Sequence, residues 1–323
     1  MTARTRYFAI ASLLVLTVGL GSGLVAYYVG FSPFPQGGGT QELRFVPANA
    51  SLVAFADVRH IMTSPLRQKL QWWLPANRDG QREFETHTGI NIETDIDRVV
   101  AAVAAASGQS GAAPSGLVLA RGRFDNVKIE AFMRERGARV EEYKGRRVID
   151  GEHARSAASL AFLEPGLLAV GPPDLVRAAV DRADGGPNVM SNQELMGLVR
   201  DLGAGDAWAV GRFDALASHA RLPSGVSSSL PSIAWFSARA SVDSGISGVF
   251  RAEARDEQAA AAFRDVVKGV LSLARLQAPS RPDLQQLLSS LQLSGSGRTV
   301  ALSFDIPAAF FDTLGSQPAP AAR

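Results

Sequence analysis

Hydrophobic positions follow three different rhythms along this chain. Residues 7–29 form a predominantly apolar run, and no charged residue occurs from Tyr7 to Gln41. Past residue 43 the apolar stretches shorten and end in turn signals. Such runs at 51–56, 98–104, 116–123, 160–163, 167–170, 207–212, 233–242, 246–254 and 299–304 predict strands. The third rhythm is helical. Ile129, Phe132 and Met133 share one face, as do Leu175, Val176, Ala179 and Val180. A longer helix over 256–277 places Ala259, Phe263, Val266, Val267, Val270 and Ala274 at helical spacing, and a last helix follows Pro307. Leu66, Leu70, Trp73 and Leu74 mark a helical region broken by Pro75. Lys144-Gly145 and Pro165-Gly166 predict the turns of two hairpins. Hairpins interspersed with helices imply an α+β fold with antiparallel sheets.

Several strand-like runs lead into an aspartate and then a helical pattern: Asp125, Asp174, Asp214, Asp256 and Asp305. A carboxylate there accepts hydrogen bonds from the free N–H groups of a first helical turn and suits the positive end of the helix dipole. Capping is therefore the expectation for all five. Their spacing carries more. Asp125 and Asp256, Phe132 and Phe263, and Asp174 and Asp305 are each 131 residues apart. Ser159-Leu160 with Ser290-Leu291, and Gly166 with Gly297, keep the same interval. A fixed period points to duplication. The runs 51–56 and 207–212 read as corresponding leading strands at a different offset. The predicted organisation is two related α+β units, 43–184 and 188–314, divided near Gly185-Gly186-Pro187, with 315–323 a disordered tail.

The apolar run changes where this fold sits. A helix over 7–29 is about 35 Å long at roughly 1.5 Å per residue, enough for a bilayer core of about 30 Å. Arg4 and Arg6 precede it, which predicts a cytoplasmic N-terminus (1–6) and an extracytoplasmic remainder at the inner membrane. Three of the four tyrosines, Tyr7, Tyr27 and Tyr28, fall at its ends, where aromatic rings favour the headgroup interface. Residues 30–42, with Pro33, Pro35 and Gly37-Gly38-Gly39, read as a tether. The rival reading is a signal peptide cleaved near Gly21 or Ala26. Gly19 and Gly23 have the GxxxG spacing through which a homodimer of membrane helices would pack, although glycine is common in membrane helices generally.

Composition removes chemistry. The 323-residue chain contains no cysteine, which excludes disulfides, thiolate zinc sites, iron–sulfur clusters and cysteine nucleophiles. Net charge is +2, and the pI near 9.1 reflects a small excess of arginine. Arg134, Arg136, Arg139, Lys144, Arg146 and Arg147 form the densest basic cluster, but Glu135, Glu141 and Glu142 lie among them, so a solvated mixed-charge surface is expected and no nucleic-acid partner. There is no G-x-S-x-G, S-x-x-K, H-E-x-x-H or phosphate-binding lysine loop.

Candidate ligands are sparse. Asn91, Glu93, Asp95 and Asp97 alternate like the first four positions of a calcium loop, but Ile96 replaces the required glycine and Ala102 the final glutamate. A turn and helix cap before the next strand is expected instead. The four histidines, His60, His87, His153 and His219, each stand alone in their segments. His60 and His219 each follow a leading strand and read as polar surface residues. Trp72-Trp73 forms the largest local apolar cluster. No catalytic, cofactor-binding or metal-ligating residue is assigned, and no cofactor is expected.

The segments from Leu43 to Ala50 (LRFVPANA) and from Thr88-Gly89-Ile90 to Asp95-Ile96-Asp97-Arg98-Val99 resemble those of membrane-anchored bacterial envelope proteins of unknown function. The resemblance covers mainly residues 43–180 and rests on structural motifs. It implies an N-terminal anchor with duplicated α+β units and transfers no catalytic residue. The resulting expectation is a single-pass inner-membrane protein with a binding or scaffolding role and an envelope protein partner. The alternative is an extracytoplasmic hydrolase using carboxylates. A deep polar cleft holding two acids, or a His with an acid, would favour the enzyme, and a shallow apolar groove or exposed sheet edge would favour partner binding.

Overall fold

Strand β1, Ala50–Ala56, is buried along its whole length and lies in the middle of the molecule. The computed structural model describes residues 41–70, 85–86, 89–104, 115–151, 158–213, 232–277 and 282–315. After β1 come helices α1 (Val58–Thr63), α2 (Pro65–Leu70) and α3 (Ile92–Asp95), then strands β2 (Ile96–Ala104) and β3 (Ser115–Gly122). Helix α4 (Asn126–Glu135) precedes the hairpins β4 (Arg139–Tyr143)–β5 (Arg146–Gly151) and β6 (Ala158–Glu164)–β7 (Leu167–Gly171). Helices α5 (Pro173–Ala183) and α6 (Gln193–Asp201) lead to β8 (Ala207–Arg212), β9 (Ile233–Val242) and β10 (Ile246–Ala254). The chain continues through α7 (Glu257–Gln277), α8 (Pro282–Ser290), β11 (Gln292–Ser294), β12 (Thr299–Ile306) and α9 (Ala308–Gly315).

These strands form one twelve-stranded sheet in the order β11-β12-β10-β9-β8-β1-β2-β3-β7-β6-β5-β4. Every neighbouring pair is antiparallel. The fold is α+β, as the pattern predicts, but the expected separate sheets are joined. The join is β1 against β8, with Leu52 opposite Gly211 and Ala56 opposite Ala207. Outward from it the order is β8-β9-β10-β12-β11 on one side and β1-β2-β3-β7-β6, extended by β5 and β4, on the other.

Because successive strand residues point to opposite faces, β1 feeds two cores. Val53 and Phe55 join Val100, Leu117, Leu119 and Val210 beneath Val176, Ala179 and Val180 of α5. Leu52, Ala54 and Ala56 join Val58 and Ile61 of α1, Val99, Ala209 and Phe236 on the other face. The apolar cores are thus divided by sheet face rather than one to each half. A further cluster packs Leu271, Leu287, Leu288 and Phe310 of the last helices on Phe304 and Ile306.

The expected caps divide. Asp125 accepts from the N–H groups of Val127 and Lys128, each at 3.1 Å, and Asp256 from Ala259 at 2.7 Å. Asp174 instead lies inside the first turn of α5, whose N-cap is Pro172. Proline at the first helical position presets the backbone and starts the helix early. Asp305 stays within β12, held there by pairing that runs on to Ile306 opposite Ile246. Asp214 lies outside the described residues, as do Trp72 and Trp73. In α7 Ala259, Phe263, Val267 and Ala274 pack as the spacing predicts, joined by Ala260 and Leu271, whereas Val270, expected on the buried face, is exposed. No helix among the described residues is long and apolar enough to cross a membrane, and the predicted span at 7–29, with Gly19 and Gly23, lies outside them.

Candidate functional site

The pairing of β1 with β8 brings two distant polar residues together. Antiparallel register sets the end of β1 beside the start of β8. His60 lies in α1, just past the end of β1, and Asp206 directly precedes β8. The imidazole Nδ1 is 3.6 Å from Oδ1 of Asp206. Half of the His60 side chain is exposed, whereas that of Asp206 is 2% exposed.

The backbone holds Asp206 in place. Its N–H donates to the Ala240 carbonyl at 2.7 Å, and its Oδ2 accepts from the Val242 N–H. Gly205 permits the close approach, since a Cβ there would lie 2.3 Å from Cγ of Arg239. Oδ1 is buried and accepts no hydrogen bond among the described residues. Burial pushes the Asp206 carboxyl above its ordinary value, as does the nearby Asp243, while the Val242 N–H and His60 act in the opposite direction.

Both residues line a cleft of about 550 Å³. One wall is the β9–β10 turn, with Asp243, Ser244 and Gly245. That turn is pinned to α2 by the Leu66 N–H donating to the Asp243 carbonyl at 2.9 Å. It also abuts the end of β12, where a Cβ on Gly245 would lie 2.3 Å from the Ile306 carbonyl oxygen. Ser241, Ser247 and Asp305 are direct cross-strand neighbours on β9, β10 and β12, and all three face the cleft. Such neighbours share one face of the sheet, so they make a polar row across it. The start of α9, Pro307 and Ala308, completes the rim.

No family model matches this chain, and no curated protein matches it. Two solved structures, crystal forms III and I of TP0453, are similar in backbone course. Form III has a TM-score of 0.49 at 11% identity, covering 88% of this chain and 98% of that one. Form I has a TM-score of 0.47 at 10% identity, covering 85% and 96%. No residue role is transferred from either.

Of the residues singled out by sequence, His60 and Asp305 line this cleft, and the other described ones fall elsewhere. Asn91 caps α3 by accepting from the N–H groups of Glu93 and Thr94. Glu93, Asp95 and Asp97 pair with Arg67, Arg123 and Arg59 respectively, so the calcium-like spacing resolves into a cap and three ion pairs. The basic cluster is threaded with acids. Arg134 and Arg147 both bind Glu130, Lys144 pairs with Asp181, and Arg146 pairs with Asp184. His87, His153 and His219 lie outside the described residues. Sequence reasoning left Asp206 and Asp243 unremarked and read Asp305 as a cap. The usable signal was the correspondence of the two leading strands: paired antiparallel, they put His60 beside Asp206.

Proposed function

We propose that this chain is a non-catalytic binding protein of the bacterial envelope. Residues 7–29 anchor it in the inner membrane, and the α+β domain lies outside the cytoplasm. The uncharged run preceded by Arg4 and Arg6 supports the anchor. The 131-residue interval, together with the matching strand order on either side of β1–β8, supports descent from a duplicated unit. The observation that carries the binding reading is the preformed cleft, in which His60 and Asp206 stand 3.6 Å apart without a hydrogen bond between them. One of its carboxylates, Asp206, is buried and clamped by backbone, with one oxygen free of hydrogen bonds among the described residues. Ligand sites are typically preformed concavities with a few fixed polar groups. Photocrosslinking from Ser244 on the cleft rim, in native membranes, should give one discrete and reproducible adduct. A pattern spread over unrelated proteins, with turnover of a hydrolase substrate by purified full-length protein, would overturn the reading.

A hydrolase is the second reading, favoured by one observation. An acid beside the Nδ1 of a half-exposed His is the arrangement that orients a general base, and Ser241, Ser244 and Ser247 line the same cleft. It requires ester or amide turnover that His60→Ala abolishes. Activity that survives His60→Ala dismisses it.

A further inference from the structure

Among the described residues, three carboxylates and one imidazole line the cleft, and no lysine or arginine does. Asp243 and Asp305 are exposed, while Asp206 is 1% exposed. Among the described residues, no three His, Asp or Glu side chains converge closely enough to hold a metal ion. Asp243 follows Val242, whose N–H Asp206 binds, and Asp305 lies apart from both across the sheet. From β8, which Asp206 precedes, to β12, which carries Asp305, the sheet steps through β9 and β10. Three steps of about 4.8 Å put the two backbones about 14 Å apart. Between them lie the hydroxyls of Ser241 and Ser247, which accept as well as donate hydrogen bonds. Clefts lined by one sign of charge concentrate the opposite ion. A point ion satisfies one end of this row only, whereas a flexible chain with a cationic group at each end satisfies both.

We propose that the cleft binds a linear polyamine. One terminal ammonium sits against Asp206 and the neighbouring Asp243, displacing His60 from Oδ1, and the other end lies against Asp305, with the chain along the Ser241–Ser247 row. The assignment rests on the binding reading above and narrows it to a ligand class. Asp206 accepts no hydrogen bond at Oδ1 among the described residues, and its nearest cation-forming partner is His60. An ammonium supplies both the charge and the donors that this oxygen lacks.

The test is isothermal titration of purified full-length protein in detergent with spermidine, at fixed ionic strength. Saturable one-to-one binding is expected. It should weaken at least tenfold in Asp206→Asn and in the double variant Asp243→Asn/Asp305→Asn. The double variant changes exposed positions only, so an unaltered far-UV spectrum separates lost binding from lost fold. Absence of saturable binding overturns the proposal, as does equal binding by wild type and the double variant. Competition by Mg²⁺ as effective as by spermidine also overturns it, because that marks a diffuse ion atmosphere. If spermidine fails while crosslinking from Ser244 yields its discrete adduct, the ligand class falls and the binding reading stands.

Discussion

Burying Asp206 while leaving Oδ1 without a hydrogen bond makes ionisation costly, and the cost appears as a pH dependence of stability. The folded-state value lies above the ordinary 3.8, chiefly through burial. Over the window between 3.8 and that raised value, the native state keeps a proton that the unfolded chain has released. This group's favourable contribution is complete below 3.8 and is lost as pH rises through the raised value. Asp57 acts in the same sense, since burial raises its carboxyl too, against the opposing effect of Arg98. Asp206→Asn preserves the shape and removes the ionisation. Its stability relative to wild type should therefore improve as pH rises from 3.8. Denaturant titrations across pH check this, and parallel curves would discard burial as the cause. The caps give a second expectation at the same scale. Asp125→Ala removes two accepted hydrogen bonds and should cost about 0.5–2 kcal/mol. Asp174→Ala removes a favourable charge near the helix N-terminus and should cost about 0.3–1 kcal/mol. Urea midpoints of the two variants separate them.

Among elements, turns and helices place opposite demands on glycine. Lys144 and Gly145, at the β4–β5 turn, have φ of 49° and 72°. Both are left-handed, as the right-handed twist of a two-residue hairpin requires. Nothing lies within 4 Å of a Cβ at Gly145, so Gly145→Ala meets only backbone strain, about 1–2 kcal/mol. Gly197, inside α6, also has open space, and there Gly197→Ala should stabilise by about 0.5–1 kcal/mol. Thermal melts of the two variants should move in opposite directions. Such local features were legible in the sequence because their causes are local. Lys144-Gly145 needs only its own backbone geometry, and Asp125 needs only the next three residues. The end of β12 was misread because Asp305 is kept in the strand by pairing with Ser247, which is far away in sequence. One position of the α7 stripe, Val270, was misread for a related reason. Val270 is as apolar as Val267 and Leu271, and only the position of the sheet decides which are covered. The cleft was hidden because it draws on α1, the approach to β8, the β9–β10 turn and the end of β12, a juxtaposition that strand pairing alone creates.

For the molecule as a whole, one continuous sheet runs through both halves of the described chain. The larger core contains Val53 and Phe55 from the first half with Leu202 and Val210 from the second. Phe55 stacks on Trp208 across the join, with ring centroids 5.6 Å apart. Tryptophan fluorescence and far-UV circular dichroism should therefore trace a single coincident unfolding transition. Two separated transitions would show that the halves retain independent stability. Gly211→Val tests the join itself, because a Cβ there would lie 2.6 Å from the Ser51 carbonyl oxygen and 2.8 Å from Cα of Leu52. That variant should unfold earlier by both probes.

The position of β1 also bears on how the chain is made. Its partner β2 follows soon after it, but the partner on its other edge, β8, emerges only after the whole first half. Pairings of such long sequence separation form late. Until then a seven-residue strand, apolar except for Ser51, presents open N–H and C=O groups along one side. Such an edge is a template for pairing with another chain. A nascent chain that stops or stalls before residue 207 therefore exposes the centre of the future sheet as its most adhesive surface.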